Sequence, residues 1–579
     1  MSQFTPQKAA SALTRGEWLA LAGVLLCTFL TFASTFKFGW VYDDVPQIPQ
    51  NPNLYWSRLG FLFTHHLWTS TAGTDGRFYR PLLTLWFLIN KSIFGLNPHW
   101  FHITTVSAHV IAAALAFFVA RAVLKDTGGA LFATAIFALH PLQVESASWI
   151  SSVNDSLAAA LCFGSFLAYR KARSNQNTRG AWALAAGLFL LALFTKEVSI
   201  VLPGIILVDL WSDRKNEKQS LGSKRLSLIA VILTYLPVAM VWLALRFWAL
   251  GRSVPILLPS KTYLVSIPKI VLFNLYRLIL PLHLSPNYDF RLVESVRSGQ
   301  FLFTLLALIV LALLAVAVSK RRPALGVAFA WIMLPMLPTL NLRWMNEDDF
   351  IHDRYTYMSV LGMALLAGFI FAWIRSKWPR QHLVRPVAAS LAALMAFASM
   401  IQSQYWANDV ILFSRAVTIA PNNEWAQLNY GSALSSRGSY SEAAQHFVKS
   451  YQLKPGWRAA DFAGFGYQQA GDLPEAQRWF AVALQLNPKL ATTWFGLAQI
   501  RLTQRRPAEA IFFLTKALEI QPDAEGYHYE MGVALEQVDQ KAGAIKEYKT
   551  ELDLHPYQAG ARKAVDRLQA LRPPEAITR

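Results

Sequence analysis

The residues able to do chemistry lie in a few polar islands of an otherwise apolar sequence. The first follows Lys37 and reads Phe38-Gly39-Trp40-Val41-Tyr42-Asp43-Asp44-Val45-Pro46, continuing to Tyr79-Arg80-Pro81. Adjacent carboxylates beside a membrane are costly unless they are solvated, paired or used. Alone, Asp43-Asp44 ahead of Val-Pro is equally good turn chemistry. Further islands are His140-Pro141-Leu142-Gln143-Val144-Glu145, Asn154-Asp155, Thr195-Lys196-Glu197 and Glu347-Asp348-Asp349-Phe350-Ile351-His352-Asp353-Arg354-Tyr355. Any one of them would serve as a helix cap or a local salt bridge, such as Lys196 with Glu197. Together they bring acids, bases and histidines to one bilayer face. That mixture suits a site that handles an anionic group and moves a proton.

The elements that must position these islands follow from composition. Of 579 residues, 54% are hydrophobic and 15% charged, against about a quarter charged in an ordinary soluble domain. One core cannot organise a chain of this length. Disorder, a collagen-like chain and a disulfide scaffold are excluded, since Cys27 and Cys162 both sit in apolar stretches. No Cys/His spacing of the metal-binding kind occurs, and the redox compartment stays open. Residues 405–579 carry 19 basic and 18 acidic side chains, whereas residues 1–404 carry 35 and 17. The basic excess therefore belongs to the apolar part, where it speaks of membrane topology and anionic headgroups. Nucleic acid is not a partner.

Apolar runs predict about eleven membrane spans, near 17–36, 99–122, 129–141, 154–169, 181–195, 197–211, 225–248, 301–318, 324–340, 356–374 and 386–402. The first run lacks a small-residue cleavage site and reads as an anchored span. With eleven spans, the basic clusters at Arg121/Lys125, Arg170–Arg179, Arg214–Arg225, Lys320–Arg322 and Arg375–Arg385 all fall on one side, the cytoplasmic one. A further apolar segment, 263–283, holds Pro268, Lys269, Asn274, Arg277 and Pro281. It is expected to be a re-entrant or surface-lying helix on the outer face. Tyr79–Gly95 is expected to lie in the headgroup plane, with Arg80 and Lys91 meeting phosphates.

From residue 405 the chain repeats. Pro421, Pro455, Pro488, Pro522 and Pro556 are spaced by 34, 33, 34 and 34 residues, and Ala443, Ala476, Ala510 and Ala544 keep the same period. Gly431, Gly464 and Gly532 mark the middle of first helices. A 34-residue helix–turn–helix unit with small packing residues and a terminal proline is the tetratricopeptide pattern, which buries a core only by stacking. Such repeats usually hold a peptide on their concave face. The fold class is thus all-α: a polytopic membrane domain, residues 1–404, then a tetratricopeptide α-solenoid of four to five repeats, 405–571, and a tail, 572–579. An odd number of spans places the solenoid outside the cytosol.

The order WVYDD, YRPL, GLNPHWFH, ALHPLQVES, ND, FTKE and HDRYTY, followed by these repeats, resembles the transmembrane and tetratricopeptide-repeat-containing O-mannosyltransferases of the GT-C superfamily. The resemblance covers essentially the whole chain. It implies a polyprenyl-phosphate sugar donor in the bilayer and transfer on the outer face, with loop 37–98 catalytic. An acidic residue of the first external loop would be the base, which maps onto Asp43, with Asp44 as its partner or an acceptor-positioning group. Arg80, Lys196 and Arg354 would face the departing phosphate, with Glu197 beside Lys196. His140 and Glu145 would shape the sugar or acceptor pocket, and His352 would assist the phosphate. A single displacement would invert the anomeric centre. No redox or nucleotide cofactor is expected, and no divalent metal is required, although the acidic run 347–349 could bind one.

The family likeness implies transfer of a hexose, mannose first, to Ser/Thr hydroxyls of exported proteins docked on the repeats. The expected partners are the bilayer, the lipid-linked donor and a protein or peptide acceptor. The size of the chain favours a bacterial cytoplasmic membrane with periplasmic repeats; the alternative is the endoplasmic-reticulum membrane with lumenal repeats. Competing expectations are a glycolipid or envelope-polymer acceptor on the same fold, and a non-catalytic scaffold.

Overall fold

The computed structural model describes residues 12–68, 78–174, 179–216, 221–251, 261–340, 350–378 and 381–570. Among them, every regular element is helical. The chain forms two compact units, Met1–Arg415 and Ala416–Arg579.

In the first unit, helices stand at each of the eleven expected positions. Nine helices among the described residues are long and apolar enough to cross a bilayer, or ten if the bent pair Thr127–Leu139 and Pro141–Ser148 is one span. This count differs from the expected eleven in two ways. Arg179–Thr195, with 17 residues, is only about 25 Å long and falls short of that measure, as does Leu202–Asn216. Conversely, Thr262–Ile279 meets it, although the sequence sets it aside. Its costly polar residues are turned into protein: Asn274 and Arg277 are both buried. The following segment runs back along this helix, because Val293 N–H donates to Ser266 Oγ and Lys269 Nζ reaches the Arg291 carbonyl. The next membrane helix, Gly299–Arg321, starts a few residues later. The N-terminal end of Thr262–Ile279 therefore lies near the start of Gly299–Arg321, since six residues extend at most about 20 Å.

The packing follows the rules of helices in lipid. Gly299–Arg321 is almost wholly apolar and turns Leu302, Phe303 and Leu313 outward, as a lipid-facing helix does. Inner helices approach through small residues. Gly129 and Gly368 face each other so closely that a Cβ at Gly368 would stand 2.5 Å from the Gly129 carbonyl. At the start of the first span Thr14 and Glu17 form a reciprocal capping box. Asp126 accepts the Gly129 N–H at the head of Thr127–Leu139 and pairs with Arg375.

The second unit contains four antiparallel helix pairs, beginning with Glu424–Ser435/Tyr440–Leu453 and ending with Tyr527–Gln537/Lys541–Leu554, and a last helix, Ala559–Ala570. The periodic alanines Ala443, Ala476, Ala510 and Ala544 are fully buried. Gly464 admits the Phe480 ring, which a Cβ there would strike at 2.4 Å. The alanine period is therefore a packing period.

Candidate active site

The loop after the first span is built around Asp44. The short helix Asp44–Gln47 carries its first side chain inward, where Oδ1 accepts the Ser151 N–H (2.8 Å) and hydroxyl (2.6 Å) and Oδ2 accepts the Val41 N–H (3.1 Å). Asp44 has no exposed surface. Burial pushes its carboxyl up to about 7, against the opposing pull of the donors from Ser151 and Val41, and the neighbouring Asp43 charge adds to the rise. Asp44 thus staples the loop to the 3-10 turn Ile150–Ser152. One residue earlier, Asp43 points elsewhere, onto the wall of a cleft of about 100 Å³.

That cleft is where the polar islands meet. Asp43, Arg80, Lys196, Glu197 and Arg354 all line it, with Trp149 and Tyr355 among its aromatic walls. Each cation is oriented by a carboxylate. Arg80 engages Glu197 through Nε (3.0 Å) and Nη2, and its guanidinium lies 4.5 Å from the Phe78 ring centroid. Lys196 donates to Asp155, whose other oxygen accepts from the Ser152 hydroxyl. Arg354 lies 4.6 Å from the Trp149 ring centroid, and both its N–H (3.1 Å) and its Nη1 (3.4 Å) address Glu145. Asp43 is within electrostatic reach of Arg354.

The remaining expected residues stand behind this surface. Glu145 is buried under Arg354, with His352 Nδ1 3.8 Å away, so both support Arg354 and neither lines the cleft. His140 is fully buried and is spent on backbone. Its Nδ1 accepts the Leu142 N–H (3.2 Å), and its Nε2 donates to the Leu278 carbonyl (3.1 Å). A histidine before Pro141 can cap the turn it begins, and this one does. The acidic run 347–349 lies outside the described residues. Among the described residues no group of three or more His, Cys, Asp or Glu is placed to hold a metal.

Several supporting residues are not named as site residues by the sequence reading. Arg277 on the helix Lys261–Ile279 pairs with Asp353, whose Oδ1 also accepts the Tyr288 hydroxyl at 2.6 Å; a second guanidinium nitrogen reaches Asn274 and the His352 carbonyl. This buried cluster fixes the turn that carries Arg354. Arg246, buried on Leu221–Leu250, acts electrostatically on Glu197 and Arg80. A cation inside an apolar helix is the one sequence clue to Arg277 and Arg246.

A tetratricopeptide-repeat family model matches residues 467–531. The chain is 26% identical over 510 residues to the human protein named Protein O-mannosyl-transferase TMTC1, covering 76% of this chain and 56% of that protein. It is 21% identical over 569 residues to mouse Protein O-mannosyl-transferase TMTC3 (89% and 62%), and 24% over 477 residues to human TMTC4 (72% and 64%). The chain thus spans less than two thirds of the length of these relatives. Among solved structures it is similar to a crystal structure of MamA protein, at 20% identity and a TM-score of 0.24 over 26% of this chain and 82% of that one. It is also similar to YrrB, a TPR protein with an unusual peptide-binding site, at 15% identity and a TM-score of 0.25 over 34% and 97%.

Proposed function

We propose, from the premise that this chain is a relative of the transmembrane and tetratricopeptide-repeat O-mannosyltransferases, that it is a membrane glycosyltransferase. It moves a hexose, mannose first, from a polyprenyl-phosphate donor to Ser/Thr hydroxyls of exported proteins. The observation that carries this reading is the shared cleft: one carboxylate, Asp43, faces the same space as Arg80, Lys196 and Arg354.

In the reaction the acceptor oxygen forms a bond to the anomeric carbon while the bond from that carbon to the phosphate oxygen breaks. Asp43 takes the hydroxyl proton, and the electron pair leaves with the lipid phosphate. One displacement inverts the anomeric centre. Charge then grows on the phosphate, where fixed donors are worth most because they need no reorganisation. An arginine carries five N–H donors, and the Glu197 pair takes two of those of Arg80. The carboxylate partners hold Arg80, Lys196 and Arg354 in place before the phosphate arrives. No cofactor enters this scheme, and no metal is needed for it.

The solenoid supplies the acceptor. In the second unit Gln468, Gln469, Gln499, Thr503 and Glu530 line a groove of about 530 Å³, where Gln468 bonds Gln499 at 3.2 Å. Amide side chains of this kind pair with the backbone of an extended peptide. The proposed setting is a bacterial cytoplasmic membrane with periplasmic repeats; the endoplasmic-reticulum membrane with lumenal repeats is the alternative.

The test is to supply the purified protein with polyprenyl-phosphate mannose and a Ser/Thr-rich peptide. Mannose of inverted configuration on the peptide is the expected product. Label appearing only on a lipid acceptor, or no transfer at all, overturns the reading.

A further inference from the structure

We propose that Asp409 and Trp406, on the segment after the last membrane helix, are positioning residues that hold the loop 41–44 so that Asp43 stays on the cleft wall. The inference rests on the function proposed above, and its experiment separates the two.

The argument starts at Tyr42. Its φ is +55°, in the left-handed region that a bulky L-residue enters only under constraint. It directly precedes Asp43, so relaxation of Tyr42 to an extended conformation would swing the next side chain away from its place. The constraint comes from far along the chain. Tyr42 N–H donates to Asp409 Oδ1 at 2.8 Å, across 367 residues. The Tyr42 ring meets Phe413 edge-on, with centroids 5.3 Å apart, and tilts against Trp149 at 5.7 Å.

Trp149 is the second anchor. Its Nε1–H donates to the Val41 carbonyl at 3.2 Å, which fixes the residue on the other side of Tyr42. The Trp406 ring stacks on Trp149, with centroids 5.4 Å apart and planes 20° from parallel. The Trp149 ring is also the surface on which the Arg354 guanidinium rests. Trp406 and Phe413 are both buried. Residues 404–413 therefore support the expected base through Tyr42 and the expected phosphate ligand through Trp149. The segment Tyr405–Arg415 belongs to the same compact unit as the membrane helices, although the repeat period alone assigns it to the solenoid.

The Tyr42 N–H needs a side-chain acceptor oxygen at position 409, so the chemistry of the side chain matters beyond its volume. In the full-length protein, Asp409→Ala is expected to lower kcat by about tenfold or more, because small misplacements of a reacting group carry such penalties. KM for polyprenyl-phosphate mannose should stay within about threefold, since the cations of the cleft are untouched. Asp409→Asn, which keeps an acceptor oxygen, should retain most of the wild-type kcat. Tyr42→Asn should restore turnover in the Asp409→Ala background, because asparagine enters the left-handed region readily.

A readout independent of turnover is hydrogen exchange. Asp409→Ala should speed exchange of the Val41–Val45 amides and leave the amides of the remote helix Gly299–Arg321 unchanged. Wild-type kcat in Asp409→Ala, or a KM that rises in step with the loss of kcat, overturns the inference. Unchanged exchange at Val41–Val45 does so even if Asp409→Ala is too unstable for kinetics. If the wild-type protein itself transfers no sugar, the proposed function fails, and the exchange experiment still decides the role of Asp409.

Discussion

Replacing Asp44 by asparagine tests how the loop is built, and the sign of the effect depends on pH. The side chain accepts three hydrogen bonds, two from Ser151 and one from Val41. An amide can keep the pair to Ser151 but turns an NH2 group toward the buried Val41 N–H. Leaving that donor without an acceptor costs about 1–3 kcal/mol. Wild-type Asp44 pays a different penalty. Its carboxyl is pushed up to about 7 from an ordinary value of 3.8, so the folded chain holds a proton that the unfolded chain has lost. This contribution is fully present below pH 4, falls as pH rises to 7 and is constant above. Three pH units correspond to about 4 kcal/mol. The asparagine variant has no such slope. Thermal unfolding of both proteins in one detergent, from pH 4 to 8, should show the variant less stable at pH 4–5, with the two curves crossing between pH 5 and 7. Parallel curves, or a deficit that widens with pH, would refute the buried, proton-holding Asp44.

Other perturbations read other parts of the site. Arg277→Met leaves Asp353 without its cation in a buried setting and should destabilise by about 3–5 kcal/mol, whereas Arg277→Met combined with Asp353→Leu should recover much of that loss in a chemical denaturation series. Arg354→Lys keeps the backbone N–H bond to Glu145 but loses the guanidinium contact with the Trp149 ring and the Nη1 approach to Glu145, so kcat should fall by about tenfold or more in steady-state transfer assays. Gly368→Val drives a side chain into the Gly129 carbonyl and should lower stability by about 1–3 kcal/mol or more, seen as a lower Tm.

Sequence and structure part company at recognisable places. The solenoid is legible because its period is a packing period, with Gly464 and Gly496 closing on Phe480. The membrane helices are legible because lipid tolerates only long apolar helices, but Thr262–Ile279 is not, since its cost depends on the partner that Arg277 finds in Asp353. Within the site, adjacent aspartates look alike as letters. A turn sends Asp44 inward and Asp43 to the cleft, and no local pattern says which. His140 carries the residue type of a site but spends both ring nitrogens on backbone. The pairs Lys196–Asp155 and Tyr42–Asp409 join residues that are remote in sequence, so only the fold reveals them.

In the proposed reaction the Asp43 carboxylate accepts the acceptor proton beside cations that hold the lipid phosphate. The direct measurement is release of polyprenyl phosphate from polyprenyl-phosphate mannose in the presence of a Ser/Thr peptide, by wild type and by Asp43→Asn of equal Tm. Release that depends on the peptide in the wild type and is lost in Asp43→Asn is the predicted result. An asparagine variant that releases the phosphate as fast as the wild type would contradict it.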